Sequence, residues 1–286
     1  MGDLAGWLFD PYQFEFMRRA LIALVIVSVI GAIVGAFVVN KGLAFSGDAL
    51  AHSTLAGVAV AFVAGANVTV GALIAAVLTA VGVGFTRDRA RVSYDTAIGI
   101  LFVAMFSVGI LVLSRRTSYT PDLFSFVFGN ILGVSRADIV GASILGLAVL
   151  AFVGAFYREL VLVAYDPAAA SAMGVPARFF EYAVLVMIAF AVVISIKAIG
   201  IVLVNAMLII PAATAGLFVR RLGPIMAYGL LFALVASIVG LHVSYHAGVA
   251  ASPAIVLTAS LLFAASVLLT SRRGPVEVRT PVEAVE

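Results

Sequence analysis

The sequence predicts an all-α integral membrane protein of about nine spanning helices with one re-entrant half-helix. Two observations carry this. Hydrophobic residues make up 64% of the 286-residue chain and charged ones 11%, with a mean hydropathy of +1.22, whereas soluble domains carry about 25% charged residues. The apolar residues are also gathered into uncharged runs of lipid-crossing length, punctuated by short basic or glycine-containing turns. The net charge of +3 is small and scattered, which argues against a nucleic-acid surface. Cysteine is absent, so disulfides and thiolate metal sites are excluded. The N-terminal stretch places acids and aromatics ahead of Arg18 and Arg19, unlike the basic start of a cleaved signal peptide.

Residues 20–39 form the first uncharged run, ended by a turn holding Lys41. Residues 48–86 suffice for two spans, hinged near Gly65, Ala66 and Asn67 and closed by a loop with Arg87, Arg89 and Arg91. Residues 96–114 give the fourth span. Residues 120–135 are apolar but only long enough for a half-depth helix, begin beside Pro121 and are interrupted at Gly129 and Asn130. Residues 139–157, 182–196, 198–219, 223–245 and 253–271 complete the set. Within 198–219, Asn205 and Pro211 predict a helix broken or kinked at membrane depth. A single transmembrane domain thus covers 1–271, and 272–286 is a polar tail. Basic residues divide evenly between the two possible orientations, and the three-arginine loop favours an outside N-terminus.

The long polar interruption at 158–178 contains a short helix marked at both ends. Asp166 suits the N-cap and Pro167 the first helical position, while Gly174 and Pro176 stop it after Met173. Such a capped helix outside the membrane fits docking to a partner; an ordinary linker helix is the alternative.

Two polar pairs stand out in the apolar runs. Asp48 and His52 lie i, i+4, on one face of a helix, at the mouth of a stretch with no charge from Ser53 to Thr86. An ionisable residue at membrane depth is functional by default; a simple helix cap would account for Asp48 but not His52. His242 and His246 share the same spacing, a familiar grip for a first-row metal, unless they are interfacial polar residues. Together the pairs offer nitrogen and oxygen donors suited to Zn²⁺, Mn²⁺ or Fe²⁺ and unsuited to Cu⁺. Their placement predicts two stations, His242–His246 outer and Asp48–His52 deeper. The chain contains neither a phosphate-binding GxxxxGK[ST] loop nor an HExxH protease motif.

Several segments resemble the metal-type ABC permeases, the membrane subunits of zinc, manganese and iron importers. They are GDALAHSTLAGVAVAF (47–62), DTAIGILFVAMFSVGILVLS (95–114), DLFSFVFGNILGVSRADI (122–139), AYDPAAASAMGVP (164–176) and GIVLVNAMLIIPAATAGLFV (200–219). The resemblance implies a type II importer-like homodimer in a prokaryotic cytoplasmic membrane, with ATP hydrolysis in separate cytosolic subunits and metal delivered by an extracellular solute-binding protein. It implies no permanently bound cofactor and a divalent ion, Zn²⁺ or Mn²⁺, as cargo. Asp48 and His52 match the acidic and histidine positions of the family, and 158–178 its cytosolic coupling segment. His242 has no counterpart in the pattern. After Tyr245, Gly248, Ala250, Ala251 and Ser252 stand where members carry an Asp and a Pro-Ser-Gly-like turn. A permease for a haem or siderophore chelate and a partner-free secondary metal carrier are the alternatives.

Overall fold

In the computed structural model, residues 10–114 and 131–271 are described, and every regular element among them is helical. In lipid only a helix or a closed barrel satisfies the backbone internally, so the uncharged runs become helices. They are α1 (Glu15–Asn40), α2 (Ala44–Val63), α3 (Val68–Ala90), α4 (Tyr94–Ser114), α5 (Arg136–Ala155), the short α6 (Tyr157–Tyr165) and α7 (Pro167–Ala172), then α8 (Ala177–Ile199), α9 (Ile201–Gly216), α10 (Leu222–Ala247) and α11 (Ala251–Ser271). Eight are long and apolar enough to cross a bilayer. The ninth, α9, has 16 residues and rises only ~24 Å. The expected half-helix at 120–135 falls mainly outside the described residues; its end holds a 3-10 turn, Ile131–Gly133.

α1 is the central post: α9 and α10 pack along it, and α11 closes that group. α2, α3 and α4 form a second group, joined to the first through α8 and α9. Close approach depends on small residues. A Cβ on Gly35 would lie 2.0 Å from the Leu208 carbonyl oxygen, and one on Gly31 would lie 2.9 Å from that of Met207. Between α2 and α3, a Cβ on Gly57 would fall 2.0 Å from the Gly71 oxygen. Bilayer helices associate through such backbone-to-backbone contact, because lipid supplies no hydrophobic drive between them.

Of the expected break or kink at Asn205 and Pro211, the break is corrected. α9 runs unbroken through both, and the discontinuity lies at Gly200, whose φ of 79° ends α8 and starts α9. Pro211 has no N–H for the Met207 carbonyl. That oxygen instead faces the Gly31 backbone. The hinge between α2 and α3 is where the sequence predicts it: Gly65 takes φ 66°, and Asn67 caps α3 by accepting from the Thr69 and Val70 amides.

Ion pairs sort the helix ends onto two faces. On one, Arg87 donates to Glu181 at 3.0 Å, Lys41 lies 3.7 Å from Glu181, and Arg178 lies 3.8 Å from Asp88. Arg87 also donates to the Tyr94 hydroxyl, 3.1 Å away. The end of α1, the end of α3 and the starts of α4 and α8 therefore meet here. Tyr165 joins the α9–α10 turn to the same face, donating to the Arg220 carbonyl and accepting from the Leu222 amide. On the opposite face Arg136, at the start of α5, pairs with Glu15, at the start of α1, at 3.0 Å. α4 rises ~30 Å from Tyr94, so Ser114 ends on the Arg136 face. Among the described residues, Lys41, Arg87, Arg89, Arg91, Arg158, Arg178, Arg220 and Arg221 crowd the first face, against Arg18, Arg19 and Arg136 on the other. The positive-inside rule favours the crowded face as the cytosolic one, in keeping with the expected outside N-terminus.

Candidate metal path and docking element

The turn after α1 launches α2 with Leu43 as its N-cap residue, and Asp48 stands four residues into the helix, ~6 Å above its start. His52 is one turn higher. Asp48 Oδ1 accepts from Asn205 Nδ2 at 2.9 Å, and His52 Nε2 lies 3.6 Å from the same oxygen, an ion-pair distance. The Asp48 side chain is 43% exposed and that of His52 31%, although most of α2 is buried. Phe45, one turn below Asp48, is also exposed. On α4 the Phe102 and Phe106 rings flank His52 at centroid distances of 5.7 and 5.9 Å. The result is a carboxylate and an imidazole on an open face at membrane depth, walled by aromatic rings. Such a face is sustained by water or by another protein surface, not by acyl chains.

His242 and His246 occupy the outer end of α10. His242 is buried, and its Nδ1 sits 2.8 Å from the Ile238 carbonyl, an acceptor, which makes Nδ1 the donor. Tyr12 lies edge-on to the ring at 5.3 Å, its hydroxyl 3.4 Å from Nδ1. Burial pushes the Tyr12 phenol up from its ordinary value, so it remains protonated. His246 is exposed, its ring 6.4 Å from that of His242. Each predicted pair is therefore brought together. Among the described residues no group of three or more His, Asp, Glu or Cys converges, so the two pairs do not merge into one cluster within a single chain.

On the face crowded with basic residues, Asp166 caps α7 by accepting from the Ala169 amide at 2.9 Å, with Pro167 at the first helical position. Gly174 takes φ 81°, and the Val175 amide returns to the Ala170 carbonyl at 3.0 Å, closing the helix as a glycine-terminated motif. Met173 projects outward at 72% exposure. Beside α6, where its amine donates to the Val163 carbonyl at 3.5 Å, Lys41 is held below its ordinary value, first by burial and only partly offset by Glu181.

Sequence reasoning missed Asn205 as a site residue, reading it only as a helix-break signal. An uncharged polar residue inside an apolar run needs a partner. Asp48 could have been proposed as that partner, but the two are 157 residues apart and no local pattern joins them. The ring pair Phe102–Phe106 looks like ordinary lipid-facing apolar sequence.

The ABC 3 transport family matches residues 13–270. The chain is 36% identical over 274 residues to the manganese transport system membrane protein MntC of Halalkalibacterium halodurans, covering 96% of this chain and 94% of that protein. It is 31% identical over 257 residues to a Haemophilus influenzae protein named as a probable iron transport system membrane protein, covering 90% and 94%. Among solved structures, PsaBC from Streptococcus pneumoniae in complex with Fab superposes with a TM-score of 0.79 at 34% identity, over 92% of this chain and 95% of that one. An inward-facing metal-chelate type ABC transporter shares the fold, with a TM-score of 0.71 at 14% identity over 88% and 86%. The chain belongs to the ABC 3 transport family, as a multi-pass, non-enzymatic membrane permease of the metal-importing ABC class.

Proposed function

We propose that this permease moves a divalent transition metal inward as a homodimer, with Mn²⁺ the favoured cargo and Zn²⁺ and Fe²⁺ the other members of the class. One observation carries the reading: Asp48 and His52 stand half-exposed on one face of α2 at membrane depth, 3.6 Å apart. Two donors do not complete the shell of a first-row ion. The same face on a second copy would supply two more and would shield the carboxylates from lipid. Few, exchangeable ligands suit a carrier that must release its ion. Relatives named for manganese and iron transport favour hard, oxygen-containing sites over thiolate ones, in keeping with a chain that has no cysteine.

Cytosolic ATP-binding subunits would dock on α7 through Met173 and Gly174, presented by the Asp166 cap. An extracellular metal-binding protein would deliver the ion near the outer end of α10. There His242 and His246 would form the outer station, and Asp48–His52 the deeper one.

The test is Asp48→Asn, which keeps shape and capping ability and removes the charge. Uptake of radiolabelled Mn²⁺ by cells carrying the complete importer should be abolished at normal permease abundance. Unchanged uptake would reduce Asp48 to a structural residue and end the deeper station.

A further inference from the structure

We infer that Asn205 is a specificity-determining member of the deeper metal station, first positioning the Asp48 carboxylate and then offering its own carbonyl oxygen to the ion. This rests on the proposed role of Asp48.

The amide is held on both sides. Nδ2 donates to Asp48 Oδ1 at 2.9 Å. Oδ1 of Asn205 is buried and accepts no hydrogen bond. It lies against Gly47 of α2, where a Cβ would fall 2.7 Å from that oxygen. Carboxylate oxygens only accept, so the N–H group must face Asp48 in this arrangement, and the carbonyl is consigned to the Gly47 side. Leaving a buried acceptor without a donor is costly, and apolar residues of the same shape would fit a lipid-embedded helix without that cost.

The amide has two faces of opposite chemistry, related by rotation about the Cβ–Cγ bond. With its N–H toward Asp48 it orients the carboxylate, whose Oδ1 is shared with His52. A cation arriving at Asp48 repels an N–H dipole and attracts a carbonyl. Rotation would turn Asn205 Oδ1 from its unsatisfied position to the metal, adding a neutral oxygen to a carboxylate and an imidazole. An added carbonyl oxygen favours Mn²⁺, which takes larger, oxygen-rich shells, over Zn²⁺, which is content with four ligands that include nitrogen. α9 holds Asn205 firmly enough for this, because Gly31 and Gly35 bring its backbone into direct contact with α1.

The experiment measures Mn²⁺ uptake and its inhibition by Zn²⁺ in cells carrying the complete importer, for the native chain and for Asn205→Leu, Asn205→Asp and Asp48→Asn. Asn205→Leu should raise KM for Mn²⁺ about tenfold, the scale of losing a residue that supports a metal ligand. The maximal rate should fall less and Zn²⁺ inhibition should change less, so discrimination narrows. Asn205→Asp, which keeps an oxygen there, should retain preference for Mn²⁺. If Asn205→Leu fails to assemble, Asn205→Ala carries the same readout. An unchanged KM for Mn²⁺, or a fall in maximal rate with both KM and Zn²⁺ inhibition unchanged, would overturn the assignment while Asp48→Asn still abolished uptake. Full uptake by Asp48→Asn would instead overturn the station itself, and this assignment with it.

Discussion

Gly35 shows how little room single residues leave in this bundle. A methyl group there would meet the Leu208 carbonyl oxygen at 2.0 Å, backbone against backbone, with the Ala212 methyl 3.4 Å away. No side chain can swing aside, so α1 and α9 must separate. Gly35→Ala should cost about 1–3 kcal/mol, the range for overpacking a dense core, and should lower the thermal midpoint in detergent. Gly99→Ala on α4, with nothing within 4 Å of the added carbon, should leave the midpoint unchanged or slightly raised. At this scale the site was half legible. Asp48 with His52, and His242 with His246, could be paired because a helix converts a spacing of four into proximity. Asn205 and Gly47 could not be paired, since their meeting depends on how α9 crosses α2.

Among the elements, α7 bears the clearest mark of a purpose outside the bundle. It is capped at one end by Asp166 and stopped at the other by Gly174, yet Tyr165 and Met173 are exposed around it. Met173→Glu puts a charge on that surface without touching either cap. It should abolish ATP hydrolysis coupled to transport in the reconstituted importer, with permease abundance and thermal midpoint unchanged; intact coupling would assign docking elsewhere. Gly174 is the poorer probe, because any other residue at φ 81° adds backbone strain. The hinge before Asn67 and the ends of α7 were readable because each is set by neighbours in sequence; the Arg87–Arg91 stretch, read as a loop, instead carries α3 on to Ala90. The continuity of α9 was not. Pro211 argues locally for a break, and the Gly31 backbone, presented by a different helix, meets the carbonyl the proline leaves over. Gly200, where the chain does turn, sits between apolar residues that give no warning.

Across the whole molecule, the ion network on the basic face ties the turn that launches α2 to the start of α8, the helix that follows α7. Glu181 is its hinge pin, facing Lys41 at 3.7 Å and Arg87 at 3.0 Å with 12% of its side chain exposed. Glu181→Gln would strand a buried lysine, a loss of about 3 kcal/mol visible as a lowered thermal midpoint. The Lys41 amine is already below its ordinary value through burial. A base depressed in this way opposes folding while charged, and the penalty fades as pH climbs through the lowered value toward the ordinary 10.5. The variant should therefore recover part of its deficit at alkaline pH, and Lys41→Met in the same background should restore it at neutral pH. α2 itself has a further consequence, one of biogenesis. It is the least apolar of the eight long helices, yet two-thirds of its apolar window is buried. Emerging alone from the insertion machinery, this segment would gain little from entering the bilayer. It would have to enter with α3 as a pre-paired hairpin, the Gly57–Gly71 contact formed before either helix meets lipid on all sides. The segment that handles the ion would thus be the one least able to choose the membrane unaided.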